Sequence, residues 1–136
     1  MRVLIVDDRE DNRYLLRMLM QGHGFEVEEA VQGQQALERA RVRAPDLVIS
    51  DLLMPVMDGY TLLREWKADA ALHGIPFMVY TATYTEAKDA KLALDMGADA
   101  FLVKPAEPEV FIERVHAMLA KAALGGKVDG KAEDTS

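Results

Sequence analysis

Cysteine is absent from the 136-residue chain. That excludes disulfides, thiolate metal ligands and a catalytic thiol. Histidine is scarce: His23, His73 and His116 are dispersed, which argues against both a histidine metal cluster and a phosphohistidine site. Basic charge is outweighed, with 16 Lys+Arg against 23 Asp+Glu and a formal net charge of -7. Nucleic acid and anionic membranes would repel such a chain, so direct binding to either is not expected. No apolar run approaches the ~20 residues of a membrane span. Met1–Val6 also meets Asp7-Asp8 too soon to be a signal peptide. What is present is 50% hydrophobic and 29% charged, a balance that builds one core and argues against disorder. A soluble, cytoplasmic, single globular domain is expected.

Short apolar runs alternate with segments of helical period. The runs are Val3–Val6, Phe25–Ala30, Leu47–Ile49, Phe77–Tyr80 and Ala100–Val103. Glutamates flank Val27, which suggests a place near a sheet edge. Strands that are continuously apolar, hence buried on both faces, are what a parallel sheet covered by helices requires. Between them, Asn12–Gln21 places Leu15, Met18 and Leu19 on one face, with Gly22 or Gly24 as the stop. Gln34–Arg43 ends before Pro45. Gly59–Ala71 carries Leu62, Leu63 and Trp66. Thr85 is expected to cap Glu86–Met96. Pro108 opens a last helix with Phe111, Val115, Met118 and Ala122 on one face. The pattern is (βα) five times over, and right-handed crossovers make it a doubly wound α/β sheet. Residues 1–122 form the domain, and residues 123–136 read as a disordered tail or linker.

In such a sheet, ligands bind beyond the carboxyl ends of the strands. Asp7 and Asp8 follow the first strand, Asp51 follows the third, Thr81 ends the fourth, and Lys104-Pro105 follows the fifth. Taken singly, each has a structural reading: an Asp there caps a helix or forms a turn, Thr81 is a strand residue, and Lys104-Pro105 is a turn. Taken together, three carboxylates at one edge repel one another and call for counter-charge. Lys104 supplies part of it. A hard divalent cation suits the oxygen-only remainder, which points to Mg²⁺.

On these residues the chain resembles the receiver domains of two-component response regulators. The motifs are Val3-Leu4-Ile5-Val6-Asp7-Asp8, the run from Asp46 through Asp51 to Pro55 and Gly59, Val79-Tyr80-Thr81-Ala82, Gly97-Ala98-Asp99-Ala100-Phe101 and Leu102-Val103-Lys104-Pro105. The resemblance implies a flavodoxin-like sheet of order 2-1-3-4-5, a property of that family. It implies Asp51 as phosphoacceptor from the phosphohistidine of a histidine kinase or histidine phosphotransfer domain. Mg²⁺ would be held by Asp7, Asp8, Asp51 and the Leu53 carbonyl. Thr81, the Ala82 N–H and Lys104 would bind phosphoryl oxygens, and Lys104-Pro105 would be a cis peptide. Phosphorylation would draw Thr81 inward, admit the Phe101 ring and shift the face made by the fourth helix, fifth strand and fifth helix. The implied role is a signalling switch with self-catalysed transfer and hydrolysis, not a metabolic enzyme. A weaker resemblance of Thr81–Thr85 and Pro105–Pro108 is to receivers joined to sensor kinases. The output partner is open, as is a homodimer.

Competing readings remain. A metal-dependent phosphohydrolase with an aspartyl nucleophile would place Asp-x-Asp after the first strand and carry a cap insertion. A flavodoxin-like cofactor binder would want a hydroxyl- or Gly-rich loop where Asp7-Asp8-Arg9-Glu10-Asp11 stands. A phosphorylation-independent docking module would not need the full set Asp7, Asp8, Asp51, Thr81 and Lys104. Elsewhere, the small inner face of the fourth helix fits either a two-state element or close packing. Arg13, Tyr14 and Arg17 fit a solvated face or a partner surface. Trp66 reads as partly buried, and Met54, Met57 and Met96 as core and loop filling.

Overall fold

A computed structural model describes the backbone of residues 1–135 and the side chains of residues 1–124. Strands and helices alternate as β1 (Arg2–Val6), α1 (Glu10–Gly22), β2 (Glu26–Ala30), α2 (Gly33–Val42), β3 (Leu47–Ser50), α3 (Gly59–Ala68), β4 (Phe77–Thr81), α4 (Ala87–Asp95), β5 (Ala100–Val103) and α5 (Pro108–Thr135). The side chains of the expected tail lie, from residue 125 onward, outside the described residues. The strands form one parallel sheet of order β2-β1-β3-β4-β5, the order the resemblance implies.

The sheet divides the core in two. Leu4, Val6, Val48, Phe77 and Val79 pack toward Leu37, Leu62, Leu63 and Trp66. Val3, Ile5, Leu47, Ile49 and Met78 pack toward Leu16, Met20, Phe111 and Val115 on the other side. This alternation along each strand follows from the two-residue period of the pleat. β1 and β3 are buried throughout except half-buried Arg2. β2 and β5 are not, with Glu26 and Val103 exposed. They are the edge strands, so the expectation of five strands buried on both faces holds only for the centre.

Several local expectations are corrected. Leu15 and Met18 face outward, 66% and 52% exposed, while Leu16 and Met20 are buried. The segment Leu15-Leu16-Arg17-Met18-Leu19-Met20 is apolar on two stripes, so its period alone could not choose the core face. Trp66 is fully buried, meets Phe77 edge-on at 5.9 Å and donates its indole N–H to the Ile75 carbonyl at 3.3 Å. Thr85 does not cap α4. The N-cap is Glu86, whose backbone N–H is taken by the Asp89 carboxylate at 3.1 Å, the reciprocal arm of a capping box. α3 stops at Ala68 because Asp69 turns the chain, accepting the Ala71 N–H at 2.8 Å. α4 buries only Ala93 along its length, and after its C-cap Met96 the chain turns at Gly97, whose φ of +112° suits glycine.

Candidate functional site

Sheet register gathers the site. Val6 pairs with Ser50 and Thr81 with Val103, so the residues after the strand ends share one edge. Each is tied there by backbone. The Asp7 N–H donates to Ala30 at 3.1 Å, the Asp51 N–H to Val6 at 3.0 Å and the Lys104 N–H to Thr81 at 2.9 Å. Burial of the strands thus fixes the origins of three charged side chains.

Those side chains meet. Lys104 Nζ donates to Asp7 Oδ2 at 2.6 Å and to Asp51 Oδ2 at 3.0 Å. The three side chains are only 11%, 2% and 11% exposed respectively, so water screens them little. Burial pulls the Lys104 ammonium down. The hydrogen bonds and charges of Asp7 and Asp51 more than offset that and hold it above the ordinary lysine value. The other carboxylate oxygens are also engaged: Asp7 Oδ1 accepts the Arg9 N–H at 2.9 Å and Asp51 Oδ1 the Leu52 N–H at 2.6 Å.

Asp8 is exposed. It lines, with Asp51, Leu53, Ala82, Thr83 and Lys104, a crevice of about 680 Å³. Among the described residues, no three His, Asp or Glu side chains stand close enough to hold an ion as arranged, because Lys104 takes Asp7 and Asp51 while Asp8 stays out in solvent. The donor set nevertheless fits a hard divalent cation in kind. Asp8 and Asp51 line the crevice, and buried Asp7 shares the Lys104 ammonium with Asp51, so the donors are carboxylate oxygens of the kind such an ion takes.

Thr81 is fully buried. Its hydroxyl donates to the Thr83 carbonyl at 2.9 Å, accepts the Thr83 N–H at 3.1 Å and meets the Thr83 hydroxyl at 3.0 Å. One donor and two acceptors are all that a hydroxyl has. Phe101 is half-buried against the α3 side of the core. Lys104-Pro105 is cis, as the resemblance implies. Gly59 presses on the Asp51 loop: a Cβ there would stand 2.2 Å from the Asp51 carbonyl oxygen and 2.6 Å from Leu52 Cα.

Residues 3–116 match the family described as response regulator receiver domain. The chain belongs to this family. It is similar to the DNA-binding response regulator MtrA of Mycobacterium leprae (strain TN), 37% identical over 120 residues that cover 88% of this chain and 52% of the relative. It therefore spans about half the length of such curated relatives. Among solved structures it is similar to the signal receiver domain of a signal transduction histidine kinase from Syntrophus aciditrophicus, with a TM-score of 0.80, 34% identity, and coverage of 88% of this chain and 89% of that one. It is also similar to the chemotaxis protein CheY4 of Vibrio cholerae, with a TM-score of 0.80, 31% identity, and coverage of 86% and 97%. Membership makes it a receiver domain of two-component signal transduction, a signalling switch by family. No described helix is long and apolar enough to cross a membrane.

Features of this receiver domain escaped sequence reasoning. Arg13 and Arg17 are not a free basic face: both bond Glu29, at 3.0 and 2.6 Å, and Arg13 also donates to the Asp7 carbonyl at 2.8 Å. Thr83 holds the Thr81 hydroxyl, and nothing in the sequence marks it for that role. Tyr80, which reads as an ordinary strand residue, accepts the Ala106 N–H at 3.0 Å through its hydroxyl. The available signal was only that a phenol interrupts an apolar run, and a buried phenol usually finds a partner.

Proposed function

We propose that Asp51 accepts a phosphoryl group from the phosphohistidine of a histidine kinase or a histidine phosphotransfer domain. The observation that carries this reading is the Lys104 ammonium held between Asp7 and Asp51 at the carboxyl edge of the sheet. An Asp51 carboxylate oxygen attacks phosphorus. The new P–O bond forms as the P–N bond breaks, and the electron pair leaves with the imidazole nitrogen. Water later reverses the modification by hydrolysing the acyl phosphate.

The residues that would hold Mg²⁺ are Asp7, Asp8, Asp51 and the carbonyl of Leu53. A bound Mg²⁺ supplies charge that offsets the repulsion between carboxylate and phosphoryl oxygens. Lys104, already poised on Asp51, transfers its hydrogen bond to a phosphoryl oxygen. Ala82 lines the same crevice, and its N–H supplies another donor. Thr81 must leave Thr83 to reach the phosphoryl group, and the space it vacates admits Phe101. That motion shifts α4, β5 and α5. Support comes from α4, which buries little and is therefore easily displaced.

The histidine-bearing partner approaches along α1. Leu15 and Met18, exposed on that helix, supply apolar contact beside the crevice. Residues 1–122 are the switching unit, acting on an output domain or a separate output protein. Incubation with acetyl phosphate and Mg²⁺, read by intact mass, tests the proposal: the wild type gains one phosphoryl group and Asp51→Asn gains none. Equal labelling of Asp51→Asn would end the assignment.

A further inference from the structure

We propose that Tyr80 is the positioning residue for Lys104, bracing the turn around Pro105 so that the ammonium stays on Asp7 and Asp51. The proposal rests on the reading above only in giving Lys104 a role with phosphoryl oxygens.

The contacts reach both sides of Pro105. Before it, Lys104 Nζ stands 5.6 Å from the Tyr80 ring centroid, within the range in which a ring face attracts a cation. After it, Ala106 gives its N–H to the Tyr80 hydroxyl at 3.0 Å. The ring itself is fixed edge-on against Phe111 at 4.8 Å, and its backbone is set by the register of Tyr80 with Leu102. A side chain anchored in two elements therefore holds the residue that carries the charge and the end of the turn that follows it.

Packing alone would not hold that turn. Lys104, Pro105 and Ala106 border a cavity of about 290 Å³ between α1 and α5, with Tyr80 and Phe111 in its wall. The turn has room to move on that side. An aliphatic residue at position 80 could still fill the core against Phe111. It could neither accept the Ala106 N–H nor offer a ring face to Lys104.

Tyr80→Phe and Tyr80→Leu in the full chain separate positioning from packing. Phe keeps the ring and its contact with Phe111, so its Tm should stay close to wild type. Its labelling rate at Asp51 with acetyl phosphate and Mg²⁺ should fall roughly two- to tenfold, the ratio that one lost hydrogen bond corresponds to. The Lys104 ammonium resonance, slowed in exchange by its two carboxylate partners, should broaden. Leu should slow labelling further and shift the ammonium resonance as the ring current disappears. A Tyr80→Phe protein that labels at the wild-type rate with a sharp, unmoved Lys104 signal would overturn the proposal and leave Tyr80 a packing residue. If Tyr80→Leu does not fold, Tyr80→Phe alone decides. If the wild type itself takes no label, the phosphoacceptor reading fails. The Lys104 ammonium signal in Tyr80→Phe then still decides the positioning claim: broadened supports it, unchanged overturns it.

Discussion

Lys104 Nζ lies 3.0 Å from Asp51 Oδ2, a contact across 53 residues of chain. The same ammonium reaches the nearly inaccessible Asp7 at 2.6 Å. Two carboxylates that would repel each other are thus held by one lysine. The resting site is a charge cluster that is closed on itself and lacks a share of positive charge.

The pH dependence follows from that cluster. Lys104 is held above the ordinary lysine value of 10.5. A pKa raised by folding contributes stability that is complete below the unfolded value and lost as pH rises through the folded one. Thermal melts should show the wild type losing stability above pH 10.5. Lys104→Met should be destabilised at neutral pH by about 3–5 kcal/mol, because it leaves buried carboxylates unpaired, and should lack most of that alkaline loss. A variant as stable as wild type at pH 7 would refute the structural weight given to the cluster.

Mg²⁺ should stabilise the native state without any phosphodonor. At a hundredfold excess over its dissociation constant, a ligand specific for the native state adds about 2.7 kcal/mol. Melting scans with and without Mg²⁺ should show a rise in wild type that Asp8→Ala largely lacks. Asp8 is exposed, so its loss should barely alter the metal-free melt. An equal rise in both proteins would place the ion elsewhere.

Thr81→Ala should still accept a phosphoryl group at Asp51 but transmit it poorly. The Thr81 hydroxyl is fully engaged by Thr83, and under the proposed function it would exchange those bonds for the phosphoryl oxygen. Beryllofluoride, a phosphoryl mimic, should shift amide resonances across Ala87–Asp95 and near Phe101 in wild type. The variant should bind it with smaller shifts there. Full-sized α4 shifts in the variant would remove Thr81 from the route.

Gly59→Ala should cost about 1–3 kcal/mol, the usual range for overpacking. The atoms that its Cβ would strike belong to the backbone of Asp51 and Leu52, which cannot rotate away as a side chain can. Denaturant titration reads the loss. Because the displaced segment carries Asp51, labelling should slow as well. A neutral substitution would mean that the loop after β3 yields freely.

Much of this was legible in the chain itself. Val3–Val6 and Leu47–Ile49 are apolar without interruption, and the aspartates follow, directly after Val6 and one residue on, past Ser50, in the second. Burial therefore announced parallel strands, and the polar residues after them announced an edge. The face of α1 was not legible, since Leu15, Leu16, Met18, Leu19 and Met20 fit two stripes equally well. Nor were Tyr80 and Thr83. A strand tyrosine and a loop threonine acquire partners only when β4, β5 and α5 come together, or when a turn folds back on its own hydroxyl. Local period carries no trace of either event.

The central claim is that Asp51, among three neighbouring aspartates, carries the phosphoryl group. Borohydride reduces an acyl phosphate to the alcohol and so marks the modified aspartate as homoserine. Protein treated with acetyl phosphate and Mg²⁺, reduced and then peptide-mapped, should yield homoserine at position 51, with Asp7 and Asp8 intact. Homoserine at position 7 or 8, or a phosphorylated protein that yields none, would contradict the account.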